Sequence, residues 1–182
     1  MTRAADPPSD DPTGRDPAVP VDPIELARRN WVDAGWSDAA DGMMFVTSLV
    51  RAQQLVLARI EDLLRPHGLT FARFEVLRLL AFTRHGVLPV GKVGERLQVH
   101  PASVTNAVHR LEAAGLVARS ANPADGRSVL VAITPDGRRL VESCTQLLNA
   151  QVFTRLPLDA AAHAEATAAL GSLRRGFGDP VT

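Results

Sequence analysis

The sequence predicts a mainly α-helical fold that carries one small β-hairpin. Apolar side chains recur at steps of three and four through most of the 182 residues, which is the spacing of amphipathic helices. Residues 116–134 differ, because two β-rich strings there flank the turn-rich segment Asn-Pro-Ala-Asp-Gly at 122–126. A short helix, a tight turn and a second helix precede this hairpin. That order of elements predicts a winged helix-turn-helix, which places a helix in the DNA major groove and a loop beside it.

The N-terminal part is predicted to contain a tail and two helices. Residues 1–21 are rich in Pro and Asp and hold too few apolar side chains to offset the entropy of ordering, so we expect a disordered tail. Asp22 is a good N-cap and Pro23 suits a first turn, so a helix should begin here and end at Gly35. Ser37 is expected to cap a second helix that runs to about Arg65.

Capping and helix-breaking residues predict the remaining boundaries. Thr70 is expected to cap a third helix that stops near Gly86. Thr134 should start a long helix that Pro157 interrupts, and a last Ala-rich helix should end near Gly176. The helix-turn-helix and the strands of its wing are predicted over residues 90–97, 101–114, 116–121 and 128–134.

Positive charge is concentrated on the predicted helix-turn-helix and wing. The whole chain has 20 basic and 20 acidic residues, so its net charge favours no class of partner. Between residues 89 and 139, however, seven basic residues face four acidic ones, whereas residues 1–36 carry seven acidic and four basic residues. The positive excess therefore lies where contact with DNA phosphates requires it.

Several functional classes lack their sequence signals. No apolar run reaches the roughly 18 residues of a membrane span, and residues 1–20 contain no signal-peptide core, so we expect a soluble cytoplasmic protein. No His pair has the spacing of a helical metal site and no phosphate loop or nucleophile elbow is present, so no metal, other cofactor or enzymatic activity is predicted. Cys144 is expected to be an inert thiol in a dimer core rather than an exposed redox sensor. The preference for Arg over Lys and the heavy use of Ala suggest a GC-rich bacterial genome.

The helix at residues 101–114 is expected to read DNA with its outward face. Val104, Val108 and Leu111 fall on one side at about 100° per residue and should pack on the domain. The other side is predicted to contact DNA in the major groove through Ser103, Thr105, Asn106, His109 and Arg110. Asn suits adenine and Arg suits guanine, while Ser and Thr more often contact phosphate and fix the register. The alternative is an amphipathic surface helix that reads nothing.

The tip of the hairpin adds two candidate DNA contacts. Arg127 is expected to enter a narrow minor groove, where the potential is most negative. Asp125 lies two residues away and is expected to hold the Arg127 guanidinium in a defined rotamer. The alternative is a solvated turn with an ion pair of little energetic value.

Four motifs together resemble the MarR (multiple antibiotic resistance regulator) family over roughly residues 37–176. They are Pro-Ala-Ser-Val-Thr-Asn at 101–106, Arg-Leu-Glu-Ala-Ala-Gly-Leu-Val at 110–117, Asp-Gly-Arg at 125–127 and Ile-Thr-Pro-Asp-Gly at 133–137. The resemblance implies a homodimer whose terminal helices interleave, with dimerisation regions at residues 22–66 and 136–178 around a DNA-binding region at residues 67–135. Each winged helix would then read one half of a palindromic operator in double-stranded DNA. Family members are mostly repressors that a small aromatic or other anionic ligand, or oxidation, releases from DNA.

The added N-terminal helix also resembles a urate-responsive subgroup of that family. Trp31 matches a Trp of the subgroup, Glu75 stands where the subgroup has Asp, and Ala107 stands where it has one of its Arg residues. Without that Arg there is no planar fork to hold urate, so the resemblance favours another ligand near Trp31. The ligand cleft is expected between the dimerisation helices and the winged unit, lined by Trp31, Phe45, His67 and Glu75. The alternative for Trp31 is a simple core anchor.

Together these features predict a sequence-specific DNA-binding transcriptional regulator, a dimeric repressor that a small anionic or aromatic ligand releases. The alternative is a ligand-blind architectural DNA-binding module or a protein-binding winged helix. A protein-binding module would present a neutral recognition face, and Arg110 and Arg127 speak against it.

Overall fold

The computed structural model of the chain describes residues 21–179. The predicted tail at residues 1–21 lies outside that range except for its last residue. The chain forms two compact units that divide between Leu55 and Val56. None of the helices in residues 21–179 combines the length and the apolar character that a membrane crossing needs.

The helices and strands confirm the predicted fold class, which is mainly helical with a small sheet. The helices are α1 (Pro23–Asp33), α2 (Ser37–Leu64), α3 (Phe71–Phe82), α4 (Val90–Leu97), α5 (Pro101–Ala113), α6 (Pro135–Leu148) and α7 (Ala160–Gly176). The strands are β1 (Val87–Pro89), β2 (Val117–Ala121) and β3 (Val129–Ile133). A short 3-10 turn (Arg65–His67) follows α2, and a π-helical turn (Asn149–Phe153) follows α6. The division into dimerisation and DNA-binding regions at residues 66–67 and 135–136 stays a prediction.

The first unit contains α1 and the N-terminal part of α2. Asp22 caps α1 as predicted, because its Oδ1 accepts a hydrogen bond of 3.0 Å from the Ile24 N–H. Gly35 turns the chain between the two helices with a φ of +87°. Trp31 and Trp36 meet edge to face with 5.3 Å between their ring centroids, and Trp31 is half-buried.

The three strands form one antiparallel sheet in the order β1-β3-β2. The predicted hairpin is present, with Arg119 opposite Val131 in the register of β2 and β3. β1 was not predicted, because three residues are too few to show a period. It pairs with the other edge of β3 and ends on Pro89, whose missing N–H is tolerated in an edge strand. Since β1 leads directly into α4, the wing is tied to the first helix of the motif.

The core of the second unit lies between α3, α5, α6 and the sheet. The apolar face of α5 buries Val104, Val108 and Leu111 as predicted, against fully buried side chains such as Leu77 of α3. Cys144 is also fully buried in this core, because the stripe of α6 that contains it faces α3. Its burial therefore needs no partner subunit, contrary to the expectation of a dimer core.

A close contact fixes the corner where α6 meets the base of the wing. A Cβ on Gly137 would lie 2.2 Å from the carbonyl oxygen of Leu116 and 2.9 Å from Cγ1 of Ile133, so any other residue here must displace its neighbours. Thr134 caps α6 by accepting a hydrogen bond from the Gly137 N–H at 3.0 Å, and its hydroxyl donates to the Gly115 carbonyl at 2.9 Å. The Thr-Pro-Asp-Gly motif thus joins the end of β3, the start of α6 and the start of β2.

Candidate nucleic-acid interface

A tight turn places α5 against α4. Gln98 follows α4 with a φ of +54°, a left-handed conformation that reverses the chain between the two helices. A Cβ on Gly94 would lie 3.3 Å from Cγ2 of Val104, so the helices approach closely at this glycine. Because Val104 is itself buried, this packing determines which face of α5 remains outside.

The N-terminus of α5 is capped by a residue that the sequence analysis did not identify. Nδ1 of His100 accepts a hydrogen bond from the Ala102 N–H at 3.2 Å, and Pro101 occupies the first turn. His is not among the usual N-cap types, which is why it was missed. The available signal was its position directly before a Pro that suits the first turn of a helix.

α5 separates a buried apolar face from an exposed polar face. Ala107 joins the predicted core residues and is 9% exposed. The side chains that sequence analysis placed on the outer face are all exposed: Ser103, Thr105, Asn106, His109 and Arg110. The Thr105 hydroxyl donates to the Pro101 carbonyl at 3.0 Å, so its oxygen remains able to accept a further hydrogen bond. The contacts of these residues with DNA stay predictions.

A cleft runs between the N-terminal end of α3 and the exposed face of α5. Its volume is about 440 Å³, and we call it the Arg73 cleft. Its lining consists of Thr70, Ala72, Arg73, Ser103, Asn106, Ala107 and Arg110. Three of the predicted DNA contacts therefore share one cleft with Arg73. Arg73 was not predicted, because no motif marks it and only the packing of α3 beside α5 brings it to this surface.

A second cleft lies between α5 and the wing. It has a volume of about 360 Å³, and we call it the wing cleft. It is lined by Val90, Gly91, Thr105, Val108, Arg119, Arg127, Ser128 and Val129. Arg127 thus borders the same cleft as Thr105 of α5. Arg119 of β2 pairs with Glu112 of α5, with 3.6 Å between Nη1 and Oε2, so the wing is also held to α5 by an ion pair.

Side-chain to backbone hydrogen bonds shape the tip of the wing. Oδ1 of Asn122 accepts a hydrogen bond from the Ala124 N–H at 3.0 Å, and Oδ1 of Asp125 accepts one from the Arg127 N–H at 3.1 Å. The predicted ion pair between Asp125 and the Arg127 guanidinium is not formed, because the carboxylate instead closes a local turn on the backbone. Asp125 therefore orders the backbone of Arg127, and no carboxylate in the described part of the chain pairs with its guanidinium.

The residues predicted to line a ligand cleft belong to different units. Trp31 and Phe45 lie in the first unit, where Phe45 is exposed. His67 and Glu75 lie in the second unit, where His67 is exposed in the turn after α2. Burial raises the pKa of the Glu75 carboxyl above its ordinary value. The ligand cleft itself stays a prediction.

The buried thiol has an environment that disfavours redox chemistry. Desolvation raises the pKa of Cys144, and the reactive thiolate is correspondingly disfavoured. Over residues 21–179, no group of three His, Cys, Asp or Glu side chains converges as a metal site would require.

Comparison with known proteins identifies the family. A sequence profile described as MarR family matches residues 67–128, from the turn before α3 to the wing. The structure of Sco5413, a MarR family transcriptional regulator from Streptomyces coelicolor, is 46% identical and has a TM-score of 0.70, with 78% of this chain and 99% of that chain covered. The chain belongs to the MarR family. MarR-family proteins are transcriptional regulators and not enzymes, which agrees with the predicted class.

Other relatives of this MarR-family chain extend the comparison. The transcriptional repressor Rv2887 of Mycobacterium tuberculosis is 31% identical over 59% of this chain and 78% of its own length. The structure of Bordetella bronchiseptica BpsR, whose DNA binding is regulated by 6-hydroxynicotinic acid, is 31% identical, covers 70% of this chain and 90% of that chain, and has a TM-score of 0.63. The chain spans only 58% and 57% of the length of two matched regulators from Bacillus subtilis. The predicted family is confirmed, while these relatives do not bear on the urate-responsive subgroup.

Proposed function

We propose that the chain is a transcriptional regulator that binds double-stranded DNA in a sequence-specific way through α5 and the wing. One observation carries the proposal: α5 buries an apolar face and exposes five polar side chains beside two arginine-lined clefts. A helix with side chains is about 10–12 Å across, and the major groove of B-DNA is about 12 Å wide. The exposed face of α5 therefore has both the size and the chemistry to enter that groove.

The polar side chains of α5 divide by the atoms they can recognise. Asn106 can bind adenine and Arg110 can bind guanine through two hydrogen bonds each. Ser103 and Thr105 lie nearer the N-terminal end of the helix, where hydroxyl groups suit phosphate oxygens and set the register. We assign His109 to the major groove as well. It lies between Thr105 and the C-terminal end of α5, and its ring can make one hydrogen bond to DNA.

The wing adds a contact in the adjacent minor groove. The Arg127 side chain is exposed and has no carboxylate partner in the described chain, so its charge is available to the narrow and strongly negative groove. The hydrogen bond from the Arg127 N–H to Asp125 holds the backbone from which this side chain extends. Asp125 thus acts on DNA binding through the shape of the tip.

We propose that the regulator is a homodimer on a palindromic operator. In the first unit, α2 exposes the large apolar side chains Phe45, Val46 and Val50, and in the second unit α7 exposes Leu170, with Phe177 directly after it. Protein–protein contact is one of the roles that exposed apolar patches serve, and it is the role we propose for these helices. In a symmetric dimer, two copies of α5 would read half-sites about 34–36 Å apart, one turn of DNA.

We further propose that the dimer represses transcription and that a small anionic or aromatic ligand releases it from DNA. The support comes from relatives, because Rv2887 is a repressor and BpsR responds to an aromatic carboxylic acid. Trp31 and Glu75 remain candidates for ligand contact. Urate is not proposed, since Ala107 offers a buried methyl group where the urate-responsive subgroup has an arginine.

A binding titration tests the proposal. The protein is titrated with the duplex upstream of its own gene and with a scrambled duplex of equal length, each at two salt concentrations. Tight binding to the native duplex only, weakening as salt rises, is expected because phosphate contacts release counterions. Equal and strongly salt-dependent binding to both duplexes would instead indicate a ligand-blind architectural binder, and binding to neither would contradict the proposal. Addition of 6-hydroxynicotinate, with acetate as the non-aromatic control, then tests release by an aromatic anion.

A further inference from the structure

The Arg73 cleft holds two guanidinium groups that face no acid of the described chain. Arg73 comes from α3 and Arg110 from α5, and both line the same space of about 440 Å³. Other arginines do have a carboxylate partner, as Arg78 has Glu142 at 3.0 Å and Arg119 has Glu112 at 3.6 Å, whereas no Asp or Glu lines this cleft. The cleft is therefore a site of uncompensated positive charge, which suits an anion.

The Arg73 side chain is held in place before any ligand arrives. Oγ1 of Thr70, the cap of α3, accepts a hydrogen bond from Nε of Arg73 at 3.1 Å and one from its backbone N–H at 3.4 Å. The next residue, Phe71, donates its N–H to Oε1 of Glu61 at 2.8 Å, which fixes the start of α3 to α2. Nε is thus occupied while the two terminal nitrogens of Arg73 make no hydrogen bond within residues 21–179. They form a fork that a phosphate can occupy without much loss of side-chain entropy.

The position of the cleft identifies the anion. A helix of about 10–12 Å fills a major groove of about 12 Å, so groups of the protein that flank the helix lie over the sugar-phosphate strands. Arg73 flanks α5 and is carried by another helix, beside Ser103 and Asn106. It therefore reaches the border of the groove and not its floor.

From this geometry we infer that Arg73 binds a phosphate of the DNA backbone at the edge of the groove that α5 reads. The inference rests on the proposed function and adds a contact outside the helix-turn-helix. Arg110 lies across the cleft on α5 and reads bases, so the two arginines of one cleft have different roles. Arg73 contributes affinity and salt dependence without contributing sequence preference.

The test compares Arg73→Ala with wild type and with two further variants. Arg73→Lys keeps the charge and serves as the conservative variant. Arg84→Ala removes an exposed arginine just beyond the C-terminal end of α3, whereas Arg73 lies in its first turn, and serves as the matched control. Each protein is titrated with the native and the scrambled duplex at four salt concentrations, and thermal unfolding verifies that each is folded.

One lost phosphate contact should make the negative slope of log K against log salt shallower by about 0.9, which corresponds to roughly eightfold weaker binding near 0.1 M salt. We expect this change for Arg73→Ala on both duplexes, a smaller change for Arg73→Lys, and none for Arg84→Ala. Unchanged binding and slope for Arg73→Ala would overturn the inference while leaving the proposed function intact. Weaker binding with an unchanged slope would also overturn it, since Arg73 would then act only on the structure. If wild type binds neither duplex, the proposed function and the inference fail together.

Discussion

Gly137→Ala should destabilise the protein, although alanine normally favours a helix. The new Cβ would lie 2.2 Å from the Leu116 carbonyl oxygen, whereas a carbon to oxygen contact is normally about 3.3 Å or more, so the carbonyl must move by roughly 1 Å. That carbonyl accepts the Thr134 N–H at 3.1 Å, and the hydrogen bond is lost or distorted. Overpacking costs about 1–3 kcal/mol and the hydrogen bond about 1 kcal/mol, against a helical gain of at most about 1 kcal/mol. The net expectation is a loss of about 1–4 kcal/mol.

Thermal and urea unfolding measure this effect directly. This loss should lower the Tm by roughly 2–4 °C for each kcal/mol in a protein of this size. Gly42→Ala is the matched control, because Gly42 lies inside α2 with open space where its Cβ would be. That variant should be stabilised by up to about 1 kcal/mol. If Gly137→Ala is as stable as Gly42→Ala, the packed corner between α6 and the base of the wing does not exist as described.

Four other perturbations have expected outcomes. Arg127→Ala should weaken operator binding by about 1–3 kcal/mol, the size of one good contact. An affinity equal to that of wild type in a gel-shift or anisotropy titration would show that Arg127 of the wing does not contact DNA. His100→Ala removes the cap of α5 and should cost about 0.5–2 kcal/mol in urea unfolding, while His100→Asn should retain most of that stability. Glu75→Gln should stabilise the protein at pH 7, because burial raises the pKa of Glu75 in the folded state and ionisation of its carboxyl therefore opposes folding. This cost appears as the pH rises above the ordinary pKa of a glutamate. The stabilisation by Gln should therefore vanish at pH 4 and below, where the carboxyl is protonated in both states. Deletion of residues 22–35 should destabilise the dimer or weaken the ligand response. Sedimentation measures the first effect and ligand titration the second, and a truncated protein that matches the full chain in both would contradict the prediction.

Elements with strong local signals could be predicted from the sequence. The caps Asp22, Thr70 and Thr134 each accept a backbone N–H at the start of a helix, because short polar side chains reach those groups without help from the rest of the fold. The buried face of α5 could be predicted for a similar reason, since its apolar spacing has the period of a helix.

Features that depend on packing could not be predicted. β1 has only three residues and becomes a strand because β3 has an unpaired edge beside it. Asp125 was assigned to an ion pair with the Arg127 guanidinium, but its carboxylate accepts a hydrogen bond from the backbone N–H of Arg127 instead. Arg73 belongs to no motif and gains its position from the contact between α3 and α5, two helices whose first residues are thirty positions apart.

The central claim is that the exposed face of α5 reads DNA sequence, and the ratio of affinities for native and scrambled duplexes tests it most directly. The ratio is measured for wild type, for the double variant Asn106→Ala and Arg110→Ala, and for a control double variant, Gln146→Ala and Arg84→Ala, whose exposed side chains lie elsewhere. Since Asn106 and Arg110 are exposed, folding stability should be unchanged. We expect a ratio near one for the first double variant, with residual salt-dependent binding, and a wild-type ratio for the control. A wild-type ratio for the variant with Asn106→Ala and Arg110→Ala would contradict the claim that α5 reads DNA sequence.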